Sequence, residues 1–279
     1  MQKAITIARN CFANEMNIVP AIAEGTTIPR VIHQTFYSKL LPSELQENGA
    51  KIKALNPGWE YKLYDDADIT AFLRENYAPR ILNYFNRISP SYGAAKADLF
   101  RYLLLYKCGG LYLDIKSTLT KPLDDILRAD DRYLLSNWRN KKGEPFENWG
   151  LHTALGDMTD GEFQQWHIVA APGHPFLKAV IENVLRNIDR YHPSLHGTGK
   201  DGVLRLTGPI AYTLAIAPLL HLYKHRFADS QADLGFEYSI YNNSAHKIVF
   251  RSHYANLTEP IVKIGVKLSD EWTSNRTTP

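Results

Sequence analysis

Residues 91–115 constrain the fold more tightly than any other stretch of the chain. Between residues 91 and 107, Ala94, Ala97, Leu99, Leu103, Leu104 and Tyr106 recur at helical spacing and can bury one broad face. Cys108-Gly109-Gly110 stops that pattern with glycine where a helix commonly ends in the left-handed conformation. Leu111-Tyr112-Leu113-Asp114-Ile115 then reads as a strand whose apolar character gives way to charge at Asp114 and Lys116. In an open α/β sheet, ligands bind at the carboxyl ends of strands. Asp114 and Lys116 are therefore candidate site residues on position alone.

The flanking sequence repeats the alternation of strand and helix. Val31-Ile32-His33-Gln34-Thr35-Phe36, entered through Ile28-Pro29-Arg30, predicts a buried parallel strand. Residues 42–55 have helical spacing and stop at Asn56-Pro57-Gly58, a turn signal. Trp59-Glu60-Tyr61-Lys62-Leu63-Tyr64 predicts a second strand, and Asp65 or Asp66 caps a helix reaching about Asn76. Residues 133–138 and 166–171 predict strands, 175–190 an amphipathic helix, and 208–224 an apolar helix. The glycine-rich, polar stretch 195–207 reads as a mobile loop, with an acceptor-side flap at Gly197-Thr198-Gly199-Lys200. Residues 1–27 read as an N-terminal helical extension without a signal-peptide core, and 28–279 as one α/β domain. No apolar run of roughly 20 residues predicts a membrane span.

Composition removes several function classes. Net charge is +3 and the basic residues are dispersed, so no nucleic-acid partner is expected. The tightest basic group, Arg139, Lys141 and Lys142, reads as a solvated loop. Cys11 and Cys108 form neither a disulfide framework nor a zinc spacing, and no Gly-x-Ser-x-Gly elbow is present. Chemistry is concentrated elsewhere. Asp98 and Arg101 stand three apart on one face of an otherwise apolar helix, and buried charges need partners. A ligand hydroxyl or phosphate is one such partner. Asp114 at a strand end can bind ribose, sugar hydroxyls or a cation, or simply cap its own turn.

The run Ala94-Ala95-Lys96-Ala97-Asp98-Leu99-Phe100-Arg101, followed by Gly109-Gly110-Leu111-Tyr112-Leu113-Asp114, resembles the core signature of glycosyltransferase family 32. It is also similar to the glucosyltransferase domains of large clostridial toxins. Ile28-Pro29-Arg30-Val31-Ile32-His33-Gln34, Asn56-Pro57-Gly58-Trp59-Glu60-Tyr61, Ala171-Pro172-Gly173-His174-Pro175-Phe176 and Thr207-Gly208-Pro209 look like further family markers in the same order. The resemblance implies a GT-A fold, with a Rossmann-like, mostly parallel central sheet flanked by helices. It implies a retaining transferase that moves a hexose from a nucleotide-sugar to a glycan or glycolipid acceptor in surface polysaccharide synthesis. A UDP-sugar is the favoured donor and GDP-mannose the alternative.

By the same resemblance, Asp98 and Arg101 hold the donor sugar, Asp114 is the first acid of Asp-x-Asp, and Ile32, His33 and Gln34 lie beside base and ribose. The nucleotide-sugar half is about 28–125 and the acceptor side about 126–279. A cytoplasmic location is implied, with peripheral contact at the inner face of a membrane. The second acid is replaced here by Lys116. That puts the Mn²⁺ or Mg²⁺ expected at Asp114 in question, and leaves a non-catalytic nucleotide-sugar-binding relative as the alternative. Lys116 either meets the diphosphate directly or, if the strand has ended, points to solvent. His167 faces either sugar or core, and His246 and His253 lie where the toxin-like enzymes close over the diphosphate.

Overall fold

The computed structural model describes residues 18–241 and 254–263. Its centre is a six-stranded sheet in the order β2-β1-β3-β6-β5-β7, built from β1 (Val31–Thr35), β2 (Glu60–Tyr64), β3 (Gly110–Leu113), β5 (Tyr133–Leu135), β6 (His167–Ala170) and β7 (Arg226–Phe227). A small second sheet pairs β4 (Thr118–Leu119) with β8 (Phe236–Glu237). Strands β2 and β3 pair parallel to β1, and only β6 runs against its neighbours β3 and β5. The carboxyl ends of β1, β3 and β5 therefore lie along one edge. The sheet is mostly parallel with helices packed on it, as the alternation of strand and helix predicts.

Helices α1 (Ser43–Leu55), α2 (Asp66–Asn76), α3 (Pro79–Arg87) and α4 (Gly93–Cys108) separate the first three strands, and the short α5 (Leu123–Ile126) follows β4. Asp65 caps α2 through a reciprocal capping box with Asp68. The period-two alternation of the strands divides the core between two faces. Tyr112, Tyr133, Leu135, Ile168 and Ala170 join the cluster under α4 and α6 (Pro175–Asp189), while Ile32, Leu111, Leu113, Leu134 and Val169 join the cluster on the other face. Helix α4 is enclosed on all sides through its middle: every residue from Asp98 to Tyr106 is buried. Sequence periodicity marks only one apolar face of it, because Asp98 and Arg101 break the stripe.

Gly109 and Gly110 turn the chain from α4 into β3, with φ of +66° and +99°. A Cβ on Gly109 would stand 2.6 Å from Pro172 Cδ and 2.9 Å from the Ala170 carbonyl oxygen. Close approach and left-handed backbone both demand glycine here.

Residues 195–207 are not a loop. They contain α7 (Pro193–His196, beginning just before the stretch) and α8 (Gly199–Leu206), which leads directly to α9 (Pro209–Ile216). Their glycines serve packing: a Cβ on Gly202 would lie 2.6 Å from Ile261 Cδ1 and 2.7 Å from the Gly197 carbonyl oxygen. Val203, Leu206 and Thr207 are buried. Gly199–Leu219 is long and apolar enough by composition to cross a membrane, but 61% of its most apolar window is buried within this body. Residues 18–27 carry no helix. They are strapped to the end of α4 by the Tyr106 hydroxyl, which donates to the Pro20 carbonyl (2.9 Å) and accepts from the Ile22 amide (3.2 Å). The rest of the expected N-terminal extension lies outside the described residues.

The sheet also buries two histidines expected at or near the site. His33 points to the α4 side, with Nε2 3.1 Å from the Gly109 carbonyl oxygen and Nδ1 3.1 Å from the Tyr64 hydroxyl. It stitches β1 to the α4–β3 turn, and burial lowers its pKa to about 4. His167 faces the core against Phe236, and burial lowers its pKa to about 3.

Two outcomes follow from this packing. Gly109→Ala is expected to cost roughly 2–4 kcal/mol of unfolding free energy, measured by urea titration, and a loss below about 0.5 kcal/mol would contradict the turn geometry. The second concerns pH. The unfolded His33 titrates near 6.5 and the folded one near 4, so between those values the unfolded chain binds more protons. Stability is then full above pH 6.5 and falls as pH drops toward 4. His33→Gln is expected to reduce proton uptake on unfolding at pH 5 by about one proton, read from the pH dependence of urea stability.

Candidate active site

The third turn of α4 delivers Arg101 onto the sheet's carboxyl edge. Its guanidinium carbon lies 4.5 Å from the centroid of the Tyr112 ring, on the face of β3 that the helix covers. Nη2 meets Asp98 Oδ1 at 3.1 Å, and Nη1 meets Asp114 Oδ1 at 3.0 Å. Nη1 also donates to the Gln165 carbonyl oxygen at 2.8 Å, and Nε to the Ala97 carbonyl oxygen at 3.3 Å. Burial alone would lower the Arg101 pKa, but Asp114, Tyr112 and Asp98 together hold it above its ordinary value, so the group stays charged.

Asp98 and Asp114 share this one cation but differ in access. The Asp98 side chain is 4% exposed and that of Asp114 24%. Asp98 Oδ1 accepts from Gln165 Nε2 at 3.1 Å, and Oδ2 accepts from the Thr207 hydroxyl at 2.9 Å. Burial pushes the Asp98 carboxyl up, against the pull of Arg101, Thr207 and Gln165. In this conformation Asp98 positions Arg101, and Asp114 is the carboxylate that faces outward.

β3 ends at Leu113, so Asp114 and Lys116 do not share a strand face as a longer strand would place them. Residues 114–117 instead form a turn closed by the Ser117 amide on the Asp114 carbonyl oxygen at 2.8 Å. Gln34 Nε2 donates to that same carbonyl oxygen at 3.1 Å, Asn48 Nδ2 donates to the Ser117 carbonyl oxygen at 2.8 Å, and the Ile240 amide donates to the Lys116 carbonyl oxygen at 2.8 Å. The turn is therefore fixed from three sides. It carries Lys116 inward rather than to solvent: Nζ donates to the Tyr238 hydroxyl at 2.7 Å. Burial lowers the Lys116 pKa, nearby Asp114 raises it, and Arg101 lowers it.

Of the remaining expected residues, Gln34 supports the turn, whereas Ile32 is fully buried in the core. His33 and His167 are structural, and His246 and His253 lie outside the described residues. Gln165 and Tyr238 escape a sequence reading, because nothing in their local pattern separates them from ordinary loop residues, and Tyr112 is marked only as part of the signature block. Thr207 has a signal, the Thr207-Gly208-Pro209 marker, but the glycines before it suggest a loop.

A divalent cation fits this donor set poorly. Such an ion needs an excess of oxygen ligands. Asp114 is already paired with Arg101, an ammonium stands at the position of the second acid, and the described residues contain no group of three or more His, Cys, Asp or Glu able to hold a metal.

Comparison with known proteins agrees with the geometry. Residues 42–133 match the family model described as a glycosyltransferase sugar-binding region containing a DXD motif. That span includes Asp98, Arg101, Asp114 and Lys116. The chain is 28% identical over 169 residues to inositol phosphoceramide mannosyltransferase 3 of Schizosaccharomyces pombe, a match covering 61% of this chain and 40% of that protein. The chain thus spans less than half the length of that relative. Among solved structures it resembles the PaToxG glycosyltransferase, with a TM-score of 0.52 and 16% identity over 79% of this chain and 78% of that one. It also resembles the UDP-bound glycosyltransferase domain of the YGT toxin, with a TM-score of 0.51 and 8% identity over 77% of this chain and 82% of that one. Residues 42–133 thus resemble the DXD-containing glycosyltransferase sugar-binding region, and the chain has the GT-A fold of these structural relatives.

Proposed function

We propose that this chain transfers a hexose, with retention, from a nucleoside-diphosphate sugar to a hydroxyl of a glycan or glycolipid. The observation that carries this reading is the Asp98–Arg101–Asp114 cluster, set at the carboxyl edge of the sheet with Lys116 beside it. The mannosyltransferase named above favours mannose and a lipid-linked acceptor; the UDP-bound structural relative favours a uridine donor.

In the proposed reaction an acceptor oxygen attacks the anomeric carbon from the face the diphosphate leaves. The sugar–phosphate bond breaks, and the acceptor proton passes to a departing phosphate oxygen. The charge that develops on the diphosphate is met by fixed positive groups, which is where electrostatic catalysis acts. Lys116 supplies an ammonium. Arg101 supplies a guanidinium whose Nε and Nη1 donate to the Ala97 and Gln165 carbonyl oxygens and whose Nη2 and Nη1 are ion-paired with Asp98 and Asp114. Asp98, buried and saturated, keeps Arg101 in place, and Asp114 faces the donor's sugar and ribose hydroxyls. Lys116 also motivates a second reading, a binding protein without turnover. Release of nucleoside diphosphate from nucleotide sugars separates the two.

Asp98→Asn preserves shape but removes the charge that anchors Arg101. Turnover is expected to fall about 100-fold, roughly 2.7 kcal/mol of transition-state stabilisation, and the melting temperature to fall as well, since Arg101 keeps Asp114 but loses a buried counter-charge. Normal turnover in the folded variant would contradict the assignment. Nucleotide-sugar binding is expected to persist in EDTA and to weaken about tenfold in Lys116→Ala, measured by calorimetry with UDP- and GDP-sugars. Binding that vanishes in EDTA, returns with Mn²⁺ and ignores Lys116→Ala would replace the lysine by a metal.

A further inference from the structure

The carboxyl end of β5 opens onto the loop 136–166, on the same edge of the sheet as Asp114. Apart from Gln165 at its end, which meets Asp98 and Arg101, nothing in the donor chemistry uses this loop, yet it is internally well tied. Asn140 Nδ2 donates to the Trp149 carbonyl oxygen at 2.9 Å and to that of Asp160 at 3.2 Å. Asn148 has a φ of +66°, and Gly150 a φ of +71° at a place where a Cβ would stand 2.6 Å from the Trp138 ring and 2.8 Å from Glu162 Cγ. The backbone accepts these conformations in order to present Trp149, whose side chain is large and apolar and yet remains 42% exposed.

Trp149 is the outer member of an aromatic cluster. Its ring centroid lies 5.2 Å from that of Trp138 and 5.9 Å from that of Tyr238, both in edge-on geometry. Tyr238 is the same residue whose hydroxyl receives Lys116. The aromatic cluster and the charged cluster thus meet at one tyrosine. Beneath the aromatics, the buried Glu162 divides its carboxylate: Oε1 accepts from Trp138 Nε1 at 2.8 Å, and Oε2 lies 2.8 Å from His152 Nε2. A carboxylate on Nε2 holds the proton on that nitrogen, which leaves Nδ1 of the partly exposed His152 ring as a hydrogen-bond acceptor in the neutral form.

An exposed indole joined through Trp138 and Glu162 to an oriented hydrogen-bond acceptor is a pairing that suits a pyranose. One face of the sugar offers C–H groups to the π-surface, and its rim offers hydroxyls. Holding both groups in place beforehand lowers the ordering cost of binding a flexible, polar ligand. We infer that Trp149 and His152 form the subsite for the acceptor sugar, with Trp149 stacking on the ring and His152 Nδ1 receiving one of its hydroxyls. This deepens the proposed transfer and rests on that reading.

The test is saturation-transfer NMR on the full chain with methyl α-D-mannopyranoside and UDP or GDP present together. The wild type is expected to transfer saturation to both glycoside and nucleotide. Trp149→Ala and His152→Ala are expected to lower the glycoside signal at least fivefold and leave the nucleotide signal unchanged, while Trp149→Phe restores most of it. Three results would overturn the subsite: no glycoside signal in the wild type, a glycoside signal indifferent to both alanine variants, or a nucleotide signal that falls with the glycoside signal in Trp149→Ala. The last would assign the indole to the donor's base. Failure of the transferase reading looks different, since neither nucleotide would then give a signal even in the wild type.

Discussion

The structure is organised around one buried cation. A guanidinium taken out of water costs several kcal/mol unless it is paired and its donors are used. Arg101 meets that requirement with Asp98 on its own helix, Asp114 on the adjoining turn, a carbonyl from the chain before β6, and a tyrosine face from β3. Those partners come from four parts of the chain, so the pairing also fixes how α4 sits against the sheet. Thr207 and Gln165 extend the network through Asp98 to the end of α8 and to the loop before β6. The charge that the fold must accommodate is thereby held at the sheet edge where a ligand can use it.

Charge balance distinguishes this cluster from the usual Asp-x-Asp arrangement. Asp98, Arg101 and Asp114 match the pattern, and the second acid alone is replaced, by Lys116. The resting cluster is close to neutral without any ion. In the proposed reaction the diphosphate would meet an ammonium on a turn that Gln34, Asn48 and the Ile240 amide hold in place. Tyr238 keeps that ammonium inside the site and joins it to the aromatic wall beyond. The proposed donor and acceptor regions adjoin at this one side chain.

Much of the fold can be read directly from the residues. The apolar run of α4, its two-glycine stop and the strand that follows are unambiguous because helix period, cap chemistry and strand pattern all agree. Asp98, Arg101 and Asp114 stand out for a related reason: charge inside an apolar pattern demands a partner, and the three turn out to partner one another. The misread parts have physical causes. Glycines in 195–207 permit close packing against Ile261 and Gly197 rather than freedom. His33 lies in a marked segment, but strand alternation turns it toward Gly109 and away from the edge. Lys116 cannot be placed by strand geometry because β3 stops one residue before Asp114. Gln165 and Tyr238 come from distant loops, and only the folded chain brings them to the cluster.

The most direct measurement is a crystal structure with a non-hydrolysed nucleotide sugar bound in the presence of Mn²⁺. The diphosphate is expected within hydrogen-bond distance of Lys116 Nζ, the sugar against Arg101 and Asp114, and no ion between Asp114 and the phosphates. A Mn²⁺ bridging Asp114 to the diphosphate while Lys116 stays on Tyr238, or a donor bound away from Arg101, would contradict this arrangement.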